Sequence, residues 1–304
     1  MIDIDELEDK FSIEGEVGFG ELENELVFVT VSNKYADVDI CLYGAHVTSF
    51  KPNNSMEILW MSPDSNFEVG KAIRGGIPVC FPWFGPHTTD PLMPQHGFAR
   101  LMYWDIIKTE TLHSGETLIR LQLCSSEETK AYWPYDFCAQ MTVTVGLTLT
   151  VTLKVTNTSS IPFEYTCALH SYFGLSSIEN LAIEGLQGKS YHNQLEPGDA
   201  IQEESILNIH EAVTRHYYNT EGPYIIEDSI YRNRIQVSKA GSKVTTVWNP
   251  WKEASASMAD LPDDGYETFV CLETVNAFND SILLAPQESH ETSEMIGIEE
   301  KAYE

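Results

Sequence analysis

The strongest constraint on the fold is a strict alternation of apolar and polar residues in MTVTVGLTLTVTLKVTN, residues 141–157. Apolar side chains occupy every odd position from Met141 to Val155, and threonine, glycine or lysine fills the even positions. A period of two is typical of a β-strand with one face buried and the other in water. Because the run is longer than one strand usually is, we expect Gly146 to mark a tight turn or a bulge between two strands.

Shorter strand patterns recur along the chain, separated by glycine, proline or asparagine. They occupy residues 25–32, 38–42, 117–124, 165–169, 234–237, 244–248, 269–274 and 281–284. Only SSEETKAYWP, residues 125–134, has the composition of a short helix. Many strands without alternating helices predict an all-β fold, an antiparallel β-sandwich or barrel. No linker divides residues 1–304, so we expect one domain, with acidic termini at about 1–20 and 288–304 at its periphery.

The chain has 46 acidic and 18 basic residues, a formal net charge of −28. Such a surface repels nucleic-acid phosphates and anionic lipids, so neither nucleic acid nor a membrane is an expected partner. The acidic start MIDIDELEDK is unlike a signal peptide, and no apolar run reaches the length of a membrane span. We therefore expect a cytoplasmic protein, with a monomer as the expected state.

The cysteines and histidines give no sign of a disulfide framework or a metal site. The six cysteines lie far apart without a CxxC pair: Cys41, Cys80, Cys124, Cys138, Cys167 and Cys271. In a long chain with no secretory signature this pattern predicts reduced, mostly buried thiols. The nine histidines are scattered without close carboxylate or cysteine partners, so no metal site is expected.

Two polar residues lie in apolar strand segments and are candidates for chemistry. His170 closes the apolar run YTCAL, and Glu273 lies in FVCLETV with the same parity as Cys271. A histidine in such a setting is more often a core residue satisfied by one hydrogen bond. A catalytic role and an ion pair are about equally plausible for Glu273, since burying an unpaired carboxylate costs free energy.

Two rigid loops carry a third group of candidates. GGIPVCFPWFGP, residues 75–86, follows Arg74, and PQHGFAR, residues 94–100, ends at Arg100. Proline and glycine shape such segments into loops, and shaped loops on rigid scaffolds often carry function. Only Arg120, Arg215, Arg232 and Arg234 complete the set of arginines. The planar guanidinium matches a phosphate or carboxylate, so an anion site and structural ion pairs are both open.

Five motifs together resemble one known family. IRGGIPVCFPWFG, PQHGFAR, ALHSYF, VWNPW and CLETVN occur in the order found in the glucose-6-phosphate 1-epimerase (hexose-6-phosphate mutarotase) branch of the galactose-mutarotase-like proteins. The similarity runs from about residue 20 to LAPQES near the C-terminus. The resemblance implies a large antiparallel β-sandwich, the galactose mutarotase-like supersandwich. It also implies interconversion of the α and β anomers of a hexose 6-phosphate, without a cofactor.

The resemblance further implies roles for particular residues. His170 and Glu273 match the family's catalytic histidine and glutamate, as general acid and general base. His96 would be a second donor to the sugar oxygens. Arg74, Gln95 and Arg100 match positions that hold the substrate, with the arginines on the phosphate.

One position departs from the family pattern, and two other functions remain open. In VTRHYYN, Thr214 replaces the family's aspartate, while Arg215 and Tyr217 are retained. This substitution bears on sugar preference and efficiency more than on the type of reaction. An aldose 1-epimerase for unphosphorylated sugars is one alternative, which the two arginines disfavour. A non-catalytic protein that binds a sugar phosphate is the other.

Overall fold

The computed structural model describes residues 2–21, 26–231 and 233–299. The described chain is dominated by β-strands, and every pair of strands named below is antiparallel. The strands are β1 Val17–Glu21, β2 Val27–Ser32, β3 Ala36–Cys41, β4 His46–Pro52, β5 Val79–Cys80, β6 Asp105–Thr111, β7 Thr117–Cys124, β8 Phe137–Val145, β9 Thr148–Asn157, β10 Phe163–Tyr165, β11 Cys167–Leu169, β12 Tyr172–Gly174, β13 Leu181–Glu184, β14 Ser190–Asn193, β15 Gly198–Ile201, β16 Ile206–Leu207, β17 Val213–Tyr218, β18 Tyr224–Asp228, β19 Asn233–Ala240, β20 Val244–Asn249, β21 Phe269–Asn276, β22 Ile282–Leu284 and β23 Ser289–Ile298.

The alternating segment forms the β8–β9 hairpin of a nine-stranded sheet. The strand order of this sheet is β16-β13-β18-β19-β23-β9-β8-β7-β6. Residues 146–147 form the turn, which confirms the predicted break at Gly146. Alternate side chains of the hairpin are buried, from Met141 through Val155. The period of two therefore gives this sheet one apolar face, and that face covers the core.

A second sheet of eight strands carries most of the candidate residues. Its order is β15-β14-β17-β20-β21-β11-β5, and β12 also pairs with β21. All eight residues of β21 are buried, because the strand lies inside the sheet and is covered on both faces. A continuous apolar core includes side chains of both large sheets, such as Val151 and Leu272. The molecule is an antiparallel β-sandwich, as predicted, with smaller sheets β1–β4 and β10–β22 added to it.

The sequence-based prediction differs from the structure in three segments: in the number of strands, in where a strand begins and in the position of the C-terminal region. Residues 165–169 are two strands, since the chain leaves the β10–β22 sheet at Tyr165 and joins the eight-stranded sheet at Cys167. The predicted strand 25–32 begins at Val27 in the structure, and residue 25 lies outside the described residues. The acidic C-terminal region supplies β23, which lies between β19 and β9, so this part of the tail is not peripheral.

Three α-helices accompany the sheets in the described part of the chain: α1 Ile4–Phe11, α2 Glu127–Tyr132 and α3 Trp251–Ser255. Helix α2 confirms the predicted helix, and Ser126 caps its first turn. Helix α1 was not predicted, although IDELEDKF places Ile4, Leu7 and Phe11 on one side, where they pack against the core. None of the helices in the described residues is long and apolar enough to cross a membrane.

The expectation of reduced thiols was wrong for one pair of cysteines. Cys124 on β7 lies directly opposite Cys138 on β8, with their Cα atoms 4.1 Å apart, and a disulfide joins them. The spacing of residues in the sequence does not show which of them lie opposite each other in a hairpin, so the disulfide could not be predicted from the sequence. The other four cysteines are free and buried, as predicted.

Candidate active site

A cavity of about 480 Å³ opens over the eight-stranded sheet. It is lined by strand residues, by residues of the two proline- and glycine-rich loops, and by residues near α3. The lining comprises Ala72, Ile73, Arg74, Phe84, Gly85, Pro86, Gln95, His96, Arg100, His170, His192, Gln194, Thr214, His216, Thr246, Trp248, Met258, Asp260, Glu273 and Phe278. All six residues singled out in the sequence therefore line one cavity.

Strand pairing brings the floor of the cavity together. His216 on β17 lies opposite Thr246 on β20, and Thr246 lies opposite Glu273 on β21. The three side chains therefore form a row across the sheet on the face that lines the cavity. His216 contacts Thr246 Oγ1 through Nδ1 at 2.8 Å and Gln194 Oε1 through Nε2 at 2.9 Å.

His170 and Glu273 form a buried acid–base pair on this floor. His170 follows β11 and precedes β12, and both strands pair with β21, which carries Glu273. His170 Nε2 lies 3.5 Å from Glu273 Oε1, and the two side chains are 9% and 2% exposed. His170 Nδ1 and Glu273 Oε2 are buried without a hydrogen-bond partner in the described structure. Two buried groups thus have unused hydrogen-bonding capacity beside the cavity.

The protonation of the pair follows from its burial. Burial holds the pKa of His170 well below its ordinary value, and the nearby His96, Arg100 and Arg74 lower it further. Burial raises the pKa of Glu273 well above its ordinary value, and Glu294 adds to the increase. Both shifts favour the uncharged arrangement of the pair, in which the carboxyl carries a proton and the imidazole is neutral. When that proton moves from the Glu273 carboxyl to the His170 imidazole, the imidazolium becomes an acid and the carboxylate becomes a base.

His96 presents a neutral imidazole to the same cavity. The backbone N–H of Gly85 donates to His96 Nδ1 at 3.1 Å, so the neutral ring carries its proton on Nε2. Burial, with Arg100 and Arg74 nearby, lowers the pKa of His96 to about 3. Its ring centroid lies 5.5 Å from that of His170. His96 can therefore donate one hydrogen bond to a ligand oxygen, and near neutral pH it stays uncharged.

Backbone hydrogen bonds join the two loops that carry Arg74 and Arg100. The N–H of His96 donates to Gly85 O at 2.7 Å, and the N–H of Phe81 donates to His96 O at 3.2 Å. Gly97 lies at the closest approach, with φ +75° and with Phe81 O only 2.1 Å from the position that a Cβ atom would take. Only glycine fits there, because a side chain would collide with backbone.

Gly97→Ala is expected to reduce the free energy of unfolding by ~2–4 kcal/mol, since the added carbon must separate the loops. Urea denaturation monitored by tryptophan fluorescence measures the loss. Gly85→Ala is the matched control, because Gly85 also has positive φ (+80°) but open space around a Cβ atom. It should lose only about 1 kcal/mol from backbone strain. Equal losses in the two variants would show that the close approach is unimportant.

The two arginines differ in how their charge is compensated. Arg74 forms a bidentate ion pair with Asp260, with Nε and Nη2 each 3.1 Å from a carboxylate oxygen, and Nη1 donates to Tyr172 OH at 3.0 Å. Arg100 Nη2 donates to Gln95 O at 2.8 Å, and its buried Nε has no hydrogen-bond partner. Within the described ranges no carboxylate forms an ion pair with Arg100. Arg100 therefore supplies the uncompensated positive charge of the cavity.

The remaining arginines have other roles or lie outside the described residues. Arg120 donates to Thr142, and Arg215 stacks on the Tyr191 ring. Arg234 forms ion pairs with Glu184, Glu227 and Glu299. Arg232 lies outside the described residues. Among the described arginines only Arg74 and Arg100 line the cavity, as their flanking loops suggested.

Several lining residues carried no functional signal in the sequence. Thr246, His216 and Gln194 reach the cavity through strand register, which a single sequence does not reveal. Asp260 meets Arg74 from a segment 186 residues further along the chain. Thr214, at the position where the family pattern has aspartate, does line the cavity. No group of three or more His, Cys, Asp or Glu side chains in the described part of the chain is arranged to hold a metal ion.

The β-sandwich and the cavity define a class of protein. A buried carboxyl and an imidazole face a cavity of the size of a small polar ligand, with a polar wall and aromatic residues such as Trp248 and Phe84. Aromatic faces pack on the apolar faces of sugar rings, and an acid–base pair moves protons. The architecture is that of a β-sandwich whose cavity combines an acid–base pair with aromatic walls suited to a sugar ring.

Comparison with known proteins identifies the family. The family model of aldose 1-epimerase matches residues 28–296, and the chain belongs to that family. A Salmonella typhimurium protein named "Putative glucose-6-phosphate 1-epimerase" is 35% identical over 268 residues, covering 88% of this chain and 87% of the relative. An Escherichia coli protein of the same name is 36% identical over 254 residues, covering 84% of each.

A solved structure agrees with this assignment. The crystal structure of a "putative mutarotase" from Salmonella typhimurium superposes with a TM-score of 0.89. Its sequence is 31% identical, and the match covers 96% of each chain. The fold anticipated from the resemblance is thus the fold of the family.

Proposed function

We propose that the protein interconverts the α and β anomers of a hexose 6-phosphate, with glucose 6-phosphate as the preferred substrate. The observation that carries the proposal is the buried His170–Glu273 pair, which shares a cavity with the uncompensated charge of Arg100. Membership of the aldose 1-epimerase family supports the reaction, and the names of the two relatives support the phosphorylated substrate. The reaction only moves protons and opens a ring, so its chemistry requires no cofactor.

In the proposed mechanism Glu273 is the general base and His170 the general acid. Glu273 removes the proton of the anomeric hydroxyl while His170 protonates the ring oxygen, which breaks the bond between that oxygen and C1. Rotation about C1–C2 then presents the other face of the aldehyde. On closure the carboxylic acid of Glu273 returns its proton to the carbonyl oxygen, and His170 takes the proton of the attacking hydroxyl.

The shared proton of the His170–Glu273 pair fits this cycle. One proton lies on His170 before ring opening and on Glu273 after it, so the pair never gains or loses net charge. The open-chain form therefore coincides with the neutral arrangement that burial favours. A pair with opposite pKa shifts suits a reaction in which each group must act as acid and as base.

The remaining residues hold the substrate in the proposal. His96 Nε2–H donates to a sugar oxygen, and the Gln95 side-chain amide, whose Nε2 atom lies 3.2 Å from His96 Nε2, provides a second polar contact to the sugar. Arg100 binds the phosphate as the principal cation. Asp260 compensates the charge of Arg74, so we assign Arg74 a smaller contribution to phosphate binding than Arg100. Arg74 would contact the phosphate through the N–H groups that Asp260 and Tyr172 do not use.

Exchange NMR on equilibrated glucose 6-phosphate, with free glucose beside it, tests the function. We expect the protein to accelerate α/β exchange of the phosphate ester and to have little effect on glucose. Equal acceleration of both sugars would favour an aldose 1-epimerase without phosphate preference. Binding of glucose 6-phosphate without acceleration would instead show a non-catalytic sugar-phosphate protein, and Thr214→Asp would then be the first variant to examine.

We further propose that the protein acts as a monomer in the cytoplasm. Every residue assigned to the reaction belongs to this chain and lines the same cavity, so a monomer is sufficient for the proposed site. Sugar phosphates are charged metabolites and do not cross an apolar bilayer unaided, which supports a location in the compartment that holds them.

A further inference from the structure

Behind the acid–base pair lies a buried carboxyl that the mechanism above does not use. Glu294 is on β23 of the nine-stranded sheet, and its side chain crosses the core to the eight-stranded sheet. It is fully buried (0% exposed). Its carboxyl accepts hydrogen bonds from Ser171 Oγ and from Thr274 Oγ1, the latter at 3.0 Å. A buried carboxyl costs free energy unless it is well paired, so its retention in this core calls for an explanation.

The two donors to Glu294 are the immediate neighbours of the acid–base pair. Ser171 follows His170 in the chain, and Thr274 follows Glu273. Neighbouring residues of a strand point to opposite faces, so Glu273 faces the cavity while Thr274 faces the core. Both donors are buried, at 0% and 2% exposure. One carboxyl thus links the two backbone segments that carry the reacting side chains.

We propose that Glu294 is a positioning residue for the reaction: by binding Ser171 and Thr274 it fixes the spacing of His170 and Glu273. The proposal rests on the function proposed above. Rigid support matters because the pair is 3.5 Å apart, and a displacement of about 1 Å can cost up to ~100-fold in rate.

The groups around Glu294 determine its charge. Thr274 faces it from β21, with Glu273 on the opposite face of the same strand, and Ser171 faces it from the segment after His170. On β19 its cross-strand neighbour is Lys239, whose pKa burial lowers to about 7, and on β9 it is the apolar Val151. Burial raises the pKa of Glu294 to about 7, while its two hydroxyl donors and Lys239 lower it.

These contacts predict the direction of a pH effect. Above about pH 7 ionised Glu294 disfavours a second negative charge on Glu273, which raises the pKa of Glu273. Removal of the Glu294 charge therefore lowers the pH at which the His170–Glu273 pair loses its proton. Below about pH 7 the Glu294 carboxyl is uncharged. Replacing it with a neutral side chain therefore leaves the acid limb of the pH–rate profile unchanged.

Glu294→Gln tests the proposal, since it removes the charge and keeps the shape. In the exchange assay with glucose 6-phosphate we expect kcat to fall roughly tenfold, with KM changed less than twofold. The alkaline limb of the pH profile should move about 0.5–1 pH unit toward acid. Glu291→Gln is the matched control, because Glu291 lies on the same strand, is exposed and pairs with Lys154. It should leave both the rate and the limb unchanged.

The other outcomes are also decisive. An unchanged alkaline limb, with a uniform loss of rate or of stability at every pH, would show a merely structural role for Glu294 and overturn the proposal. If Glu294→Gln does not fold, Thr274→Val removes one hydrogen bond at constant shape and should lower kcat several-fold; a wild-type kcat there would overturn the positioning role. Absence of exchange activity in the wild-type protein would instead refute the proposed function, so the two failures are distinguishable.

Discussion

Replacement of Glu273 with glutamine is expected to lower kcat for anomer exchange of glucose 6-phosphate by about a thousandfold, within the range typical of a lost general base. Glutamine keeps the size and hydrogen-bonding shape of the side chain but cannot take the anomeric proton. Binding should be nearly unchanged, because in the proposal Glu273 stabilises the transition state far more than the bound sugar. Exchange NMR measures the rate, and calorimetric titration with glucose 6-phosphate measures the binding.

Glu267→Gln is a suitable control for this experiment. Glu267 precedes β21 by two residues, and its side chain is exposed at the surface. The control should retain the wild-type rate, so a loss restricted to Glu273→Gln would reflect the buried carboxyl alone. A rate within a few-fold of wild type in Glu273→Gln would exclude the assigned base.

The second large effect concerns the phosphate. Arg100→Met is expected to weaken binding of glucose 6-phosphate by about 2–3 kcal/mol, the contribution of charged hydrogen bonds, which corresponds to roughly 30- to 150-fold in KM. The reason is that Arg100 is the uncompensated cation of the cavity. The binding of free glucose should change much less, since it has no phosphate to lose contact with.

Two comparisons sharpen the test of Arg100. Arg120→Met is the matched control, because Arg120 donates to Thr142 on the β7–β8 pair and does not line the cavity. Arg74→Met should affect phosphate binding less than Arg100→Met, because Asp260 already compensates the charge of Arg74. Equal losses for glucose 6-phosphate and glucose in Arg100→Met would count against a phosphate site at this arginine.

Much of the fold was accessible from periodicity. The alternation in residues 141–157 predicted two strands with one buried face, and the β8–β9 hairpin has that arrangement around Gly146. The family motifs placed His170, Glu273, His96 and the two arginines together, and the structure brings them to one cavity. Helix α1 and the Cys124–Cys138 disulfide were missed, since one is short and the other depends on register.

The sequence left the two arginines equivalent, and only tertiary structure separated them. Asp260 lies 186 residues from Arg74 along the chain, yet it neutralises that arginine and leaves Arg100 unpaired. The role of Glu294 was hidden for the same reason. In the sequence it is one acidic residue in an acidic tail, and in the structure it is buried behind both reacting side chains.

The difference between what the sequence determined and what the tertiary structure decided has a physical basis. Local patterns determined the strands, their turns and the residue types capable of acid–base chemistry, because these depend on side chains a few positions apart. Charge compensation, pKa shifts and the spacing of His170 and Glu273 depend on strand register and on the packing of two sheets. Those contacts join distant parts of the chain, so only the folded structure decided which charges are paired and which remain available for a substrate.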